Sequence, residues 1–106
     1  MNIIIQTTEI ELTDELKNYT EKKFEKLSRY FGNILEIRIE LERMLSGHHN
    51  KGEVYRAEAN IHVPKPAQVL RVEKVENNIL KAIDKVVDHA QEILKEYKGR
   101  NSHRCG

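Results

Sequence analysis

The chain has 106 residues, 39% of them hydrophobic and 33% charged, with a net charge of +1. That length bounds a single domain, and the apolar content excludes a disordered chain. One cysteine, Cys105, excludes an internal disulfide framework and a Cys-x-x-Cys zinc site, so the chain reads as intracellular and cytoplasmic.

Asn2 to Thr7 is a short β-branched run and predicts strand one. Three consecutive isoleucines suggest a strand buried on both faces or flanked by others. The Met1–Ile5 start lacks the basic region and the long apolar run of a signal peptide. No apolar stretch approaches the roughly 20 residues of a membrane span. Thr13 is an N-cap candidate, with Asp14 and Glu15 favouring the first turn of a helix. Leu16, Tyr19, Thr20, Phe24, Leu27, Tyr30 and Phe31 follow at helical spacing, so helix one is expected over Asp14 to Tyr30. Gly32-Asn33 is expected to stop it.

Leu35, Ile37, Ile39 and Leu41 alternate with Glu36, Arg38, Glu40 and Glu42, a strand with one wet face. A polar loop, Ser46 to Gly52, leads to a third strand in which Tyr55, Ala57, Ala59, Ile61 and Val63 alternate with polar residues. Pro64-Lys65-Pro66 ends it, and Val69 to Val75 predicts a fourth strand. Asn77 or Asn78 can cap a second helix whose stripe runs Ile79, Ala82, Ile83, Val86, Ala90, Ile93, Leu94 and Tyr97. Gly99 is expected to end it. Residues 1–99 then form one domain, and 100–106 a basic, frayed tail.

The predicted order is β-α-β-β-β-α. A βαβ connection places strand one parallel to a neighbour, and the remaining strands can form an antiparallel meander. Both helices must cover one face, giving a two-layer α+β sandwich with a four-stranded mixed sheet. The seam between the helices is the expected binding groove.

Charge is unevenly spread. Residues 1–16 carry four acids and no base, whereas residues 17–30 carry Lys17, Lys22, Lys23, Lys26 and Arg29 against two acids. A second basic region holds Lys95, Lys98, Arg100 and Arg104 against Glu96. Two basic regions on a near-neutral chain suit an anionic partner bound at one face; a solvated helix face with an ordinary basic tail is the alternative. Lys22, Lys26 and Arg29 fall on one stripe of helix one. Lys23 sits at the edge of the apolar arc, where its stem can lie on the core and lift the ammonium into the seam. Such a groove binds phosphates without reading bases. Tyr19, Tyr30 and Tyr97 can stack on unpaired bases if their rings reach the surface; otherwise they are core-edge tyrosines. His89, near Lys85 and Glu96 on helix two, can contact phosphate when protonated.

Nothing points to chemistry. There is no G-x-S-x-G, no Walker-type loop and no paired carboxylate in a plausible pocket, so no enzyme, cofactor or small-molecule substrate is expected. His48-His49 and the His103/Cys105 pair are poor metal ligands, and no metal is expected.

Glu11-Leu12-Thr13-Asp14-Glu15-Leu16 and Lys23-Phe24-Glu25-Lys26-Leu27-Ser28-Arg29-Tyr30-Phe31 together resemble the first helix of the ribosome hibernation promoting factor and protein Y family. Ala82-Ile83-Asp84, with Asp88 four residues on, resembles the start of its second helix. An older label for that family is modulation of a sigma factor. The resemblance implies an α+β domain like a double-stranded RNA-binding domain. It implies a translation inhibitor that binds the small ribosomal subunit in the mRNA and tRNA channel during stress or stationary phase. Ribosomal RNA would be its partner, and the chain a monomer off the ribosome. Lys23 and Lys26 are the contacts carried over by motif. With the charge pattern, the expected rRNA-binding set is Lys22, Lys23, Lys26, Arg29, Lys85, His89, Lys98 and Arg100. The chain departs from the family at Asn78-Ile79-Leu80, where many members have Asp-x-Tyr. Its basic character on helix two lies late, at Lys95, Lys98, Arg100 and Arg104. Two other readings are a general duplex-RNA module and a protein-interaction domain that modulates a sigma factor through Glu36, Arg38 and Glu40.

Overall fold

A computed structural model describes residues 1–44, 52–64 and 66–102, with side chains as far as Lys98. The elements are β1 (Asn2–Thr8), α1 (Asp14–Tyr30), β2 (Glu36–Met44), β3 (Val54–Pro64), β4 (Ala67–Glu76) and α2 (Ile79–Ser102). The order is the predicted one. The Ser46–Lys51 part of the expected loop, His48, His49, His103, Arg104 and Cys105 lie outside the described residues.

The helices begin where their caps place them. The Thr13 hydroxyl accepts the Leu16 amide hydrogen at 3.1 Å. The Asn78 side chain accepts from the Leu80 and Lys81 amides at 2.9 and 3.1 Å. Each cap satisfies donors that the first helical turn leaves over.

α1 ends at Tyr30 as expected, but in another way, and α2 ends later than expected. α1 stops at Phe31, which adopts an extended backbone (φ −143°) while its amide still bonds the Leu27 carbonyl. Gly32 does not take the left-handed conformation; among the described residues only Glu9 and Gly52 have positive φ. Burial of the Phe31 ring, against Tyr97, turns the chain instead. α2 runs on through Gly99 to Ser102. Glycine favours the end of a helix but keeps its amide donor, so the ladder can continue through it at a cost of about 1 kcal/mol.

The sheet order is β1-β2-β3-β4. β1 pairs parallel to β2 from Asn2↔Glu36 to Thr8↔Glu42. The pairs β2–β3 and β3–β4 are antiparallel. β1 is therefore an edge strand, and its isoleucines alternate after all. Ile3 and Ile5 pack on the core while Ile4 is exposed. Being at the edge explains the run: neither face of the strand is fully covered.

Ile37, Ile39, Leu41, Ala57, Ala59, Ile61, Val63 and Val72 form the sheet side of the core. Leu16, Phe24, Leu27, Ile83, Val86, Ala90 and Leu94 close it from the helices. Leu35, expected in the β2 stripe, precedes the strand and is exposed. The opposite face is polar but not uniformly wet. The Arg56 guanidinium meets Glu58, Glu42, Glu73 and Glu40 at 2.6, 2.9, 3.0 and 3.1 Å. Glu58 is buried beneath Arg56 and Arg71. Burial pushes the Glu58 carboxyl up, but hydrogen bonds from Arg56, Arg71 and Asn60 outweigh it and hold the pKa below its ordinary value. The same carboxylates hold the Arg56 pKa above normal, with Glu58 contributing most.

Candidate nucleic-acid interface

The side of α1 that faces α2 carries Tyr19, Lys23, Lys26 and Tyr30, spaced by three or four residues. The matching side of α2 carries Asp84, Asp88, Gln91, Lys95 and Lys98. Residues at that spacing share one helix face, so local periodicity alone lines both walls of the seam.

Lys23 stands where its position on the apolar arc puts it, half-buried between the helices. It has a partner that the charge pattern did not reveal. Its ammonium lies 3.2 Å from Asp84 Oδ1 and 5.4 Å from the centre of the Tyr19 ring. The Tyr19 hydroxyl donates to the same Oδ1 at 2.7 Å. The Asp84 hydrogen bond and charge raise the Lys23 pKa, so the ammonium persists through any ordinary pH. Burial, and then the Asp84 hydrogen bond, raise the Tyr19 pKa too. A cation over an aromatic face and beside a carboxylate is held in place before any ligand arrives.

Two adjoining depressions make up the seam. Lys23, Lys26, Asp84, Val87 and Asp88 line the first. Leu27, Tyr30, Phe31, Leu94, Lys95 and Lys98 line the second. Gln91 borders both. The first is ionic and of mixed sign; the second has an apolar floor under two lysines.

The expected site residues do not all meet there. Lys23, Lys26 and Lys98 line the seam, while Lys22 and Arg29 are exposed further round α1. Lys85 and His89 lie on another flank of α2, in a shallow depression with Lys74, Asp88 and Glu92. Lys85 is bound 3.0 Å from Glu76, whose pKa it lowers. Arg100 falls within α2, and its side chain lies outside the described residues. The tyrosines separate as well. Tyr97 is core, edge-on to Phe31 with ring centres 5.4 Å apart. Tyr19 is committed to Asp84, and Tyr30 is 60% exposed. The expected rRNA-binding set lacked Gln91 and Lys95, which line the seam. Stepping by three and four from Asp84 finds them.

A sequence model of the family described as Sigma 54 modulation protein / S30EA ribosomal protein matches residues 3–102. The chain belongs to this family. Among curated proteins, it is similar to the ribosome hibernation promotion factor of Picosynechococcus. The two are 24% identical over 101 residues, covering 95% of this chain and 51% of that one. It is also similar to the ribosome hibernation promotion factor of Deinococcus radiodurans, 29% identical over 91 residues, covering 86% and 46%. The chain thus spans about half the length of these relatives. Among solved structures, a ribosomal subunit interface protein from Coxiella burnetii superposes with a TM-score of 0.77 at 20% identity. That match covers 93% of this chain and 99% of the other. The N-terminal domain of Thermus thermophilus Protein Y superposes with a TM-score of 0.70 at 28% identity, covering 92% and 99%. The family expected from the helix-one motif is the one found, and the fold agrees with it.

Proposed function

We propose that this chain associates with the ribosome and inhibits translation by occupying the mRNA and tRNA channel of the small subunit. The observation that carries the reading is the seam itself: Lys23 and Lys26 of α1 line one of its depressions and Lys95 and Lys98 of α2 the adjoining one, in a chain similar to proteins named ribosome hibernation promotion factor. Lysines along a groove neutralise backbone phosphates and release counterions, which supplies affinity without sequence reading. Inhibition then needs only steric exclusion and no reacting group. Stress or stationary phase is the setting in which such silencing would serve a cell.

The protein-interaction alternative loses ground on the sheet face. Glu36 pairs with Arg38, and Glu40 with Arg56. Those charges already satisfy one another. The experiment is displacement: small subunits carrying mRNA and labelled initiator tRNA are titrated with the chain. Release of label at stoichiometric protein is expected. Binding of the chain with no loss of tRNA contradicts occupancy of the channel.

A further inference from the structure

We infer that the second depression of the seam, between Tyr30 and Lys95, is a subsite for one unstacked nucleobase of an RNA strand. The inference rests on the ribosomal reading and adds a contact to it that lysines alone do not supply.

Three observations converge on this ligand. Leu27, Phe31 and Leu94 form a buried apolar floor beneath the depression. Tyr30, one of the largest exposed apolar side chains among the described residues, stands at its rim. Tyr97 and Tyr19 have structural partners, so Tyr30 is the tyrosine of the seam with an accessible ring. Lys95 and Lys98 flank the floor on one side, and Gln91 connects it to the ionic depression of Lys23 and Lys26.

An apolar patch ringed by cations suits an anion with an apolar, planar part. A nucleotide has that form: the base stacks on the Tyr30 ring over the apolar floor, and its phosphates meet Lys95 and Lys26. The Gln91 amide carries both a donor and an acceptor, so it can pair with a base edge. A base inside a duplex cannot reach this floor. The subsite therefore prefers single-stranded or looped RNA, unlike the phosphate-binding part of the seam.

The test uses the 106-residue chain and a short single-stranded RNA with 2-aminopurine at its centre. A strand of equal length with an abasic centre, and a plain duplex, serve as comparisons. Wild type is expected to bind the base-containing strand about 5- to 150-fold more tightly than the abasic one, the usual range for one stacked base. Tyr30→Ala removes that preference and Tyr30→Phe keeps it, while Lys95→Gln weakens both strands alike. Equal affinity for the two strands, a preference that survives Tyr30→Ala, or tighter binding of the duplex overturns the subsite. Co-sedimentation with small subunits is followed on the same proteins. Wild type that co-sediments but shows no base preference refutes the subsite alone. A base preference without co-sedimentation refutes the ribosomal reading and leaves the subsite standing.

Discussion

At the scale of single residues, Asp84 decides how available Lys23 is. One carboxylate oxygen holds both the Lys23 ammonium and the Tyr19 hydroxyl. A phosphate entering the seam competes with that oxygen and is repelled by its charge. Asp84→Asn keeps an acceptor for Tyr19 but removes the charge, so RNA binding at low salt is expected to tighten about two- to fivefold, the scale of one partly exposed ion pair. Fluorescence anisotropy with a short RNA reads it; weaker binding means that Asp84 chiefly positions the lysine. On the sheet's other face, Arg56 holds four carboxylates. Arg56→Met is expected to destabilise the fold by about 2 kcal/mol at neutral pH, less than for a fully buried pair because Glu40 and Glu73 are partly wet. Glu58 has a lowered pKa in the fold, so its contribution is complete above the ordinary value of 4.5 and is lost as pH falls through the folded-state value. The gap between wild type and Arg56→Met should therefore narrow below about pH 4.5, which urea melts across that range measure. A pH-independent gap contradicts the role given to Glu58.

At the scale of elements, the caps and the position of the α1 end were legible, whereas the cause of that end and the end of α2 were not. Thr13 and Asn78 act locally, through hydrogen bonds to amides two or three residues on, so the residue type is enough to place them. Replacing either by Ala should cost about 1 kcal/mol, seen as a lower thermal midpoint. Helix ends depend on what the next residues bury. Phe31 leaves α1 because its ring packs on Tyr97, a contact 66 residues away that no local pattern contains. Nothing local marks α2 as passing Gly99. Because the helix continues there, Gly99→Ala should raise stability by about 0.5 to 1 kcal/mol. Destabilisation would mean that the glycine ends the helix. The isoleucine run of β1 misled for a related reason. Composition reports that a strand is apolar, but sheet order decides that β1 is an edge.

At the scale of the whole molecule, the element order, the mixed sheet and the single helical layer were legible, because alternation and 3.6-residue periodicity report directly which face is buried. Of the candidate site, the α1 half was legible from Lys26 on the basic stripe and from Lys23 at the edge of the apolar arc. The α2 half was only partly so. Charge counting singled out Lys95 and Lys98, but the expected set also took in Lys85 and His89, which packing against β4 turns to another flank, while Gln91 and the acidic pair Asp84 and Asp88 come to the seam. Binding should consequently discriminate between faces. Lys26→Gln is expected to lower the log–log salt slope for ribosome binding by about one, and Lys85→Gln to leave it unchanged. The most direct measurement is sucrose-gradient co-sedimentation with purified small and large subunits at low and moderate salt, for wild type and for Lys23→Glu/Lys26→Glu. Wild type should migrate with small subunits alone, release as salt rises, and lose the association in the double variant. Equal binding by the double variant, or no association of wild type at either salt, would contradict a phosphate-binding seam on the ribosome.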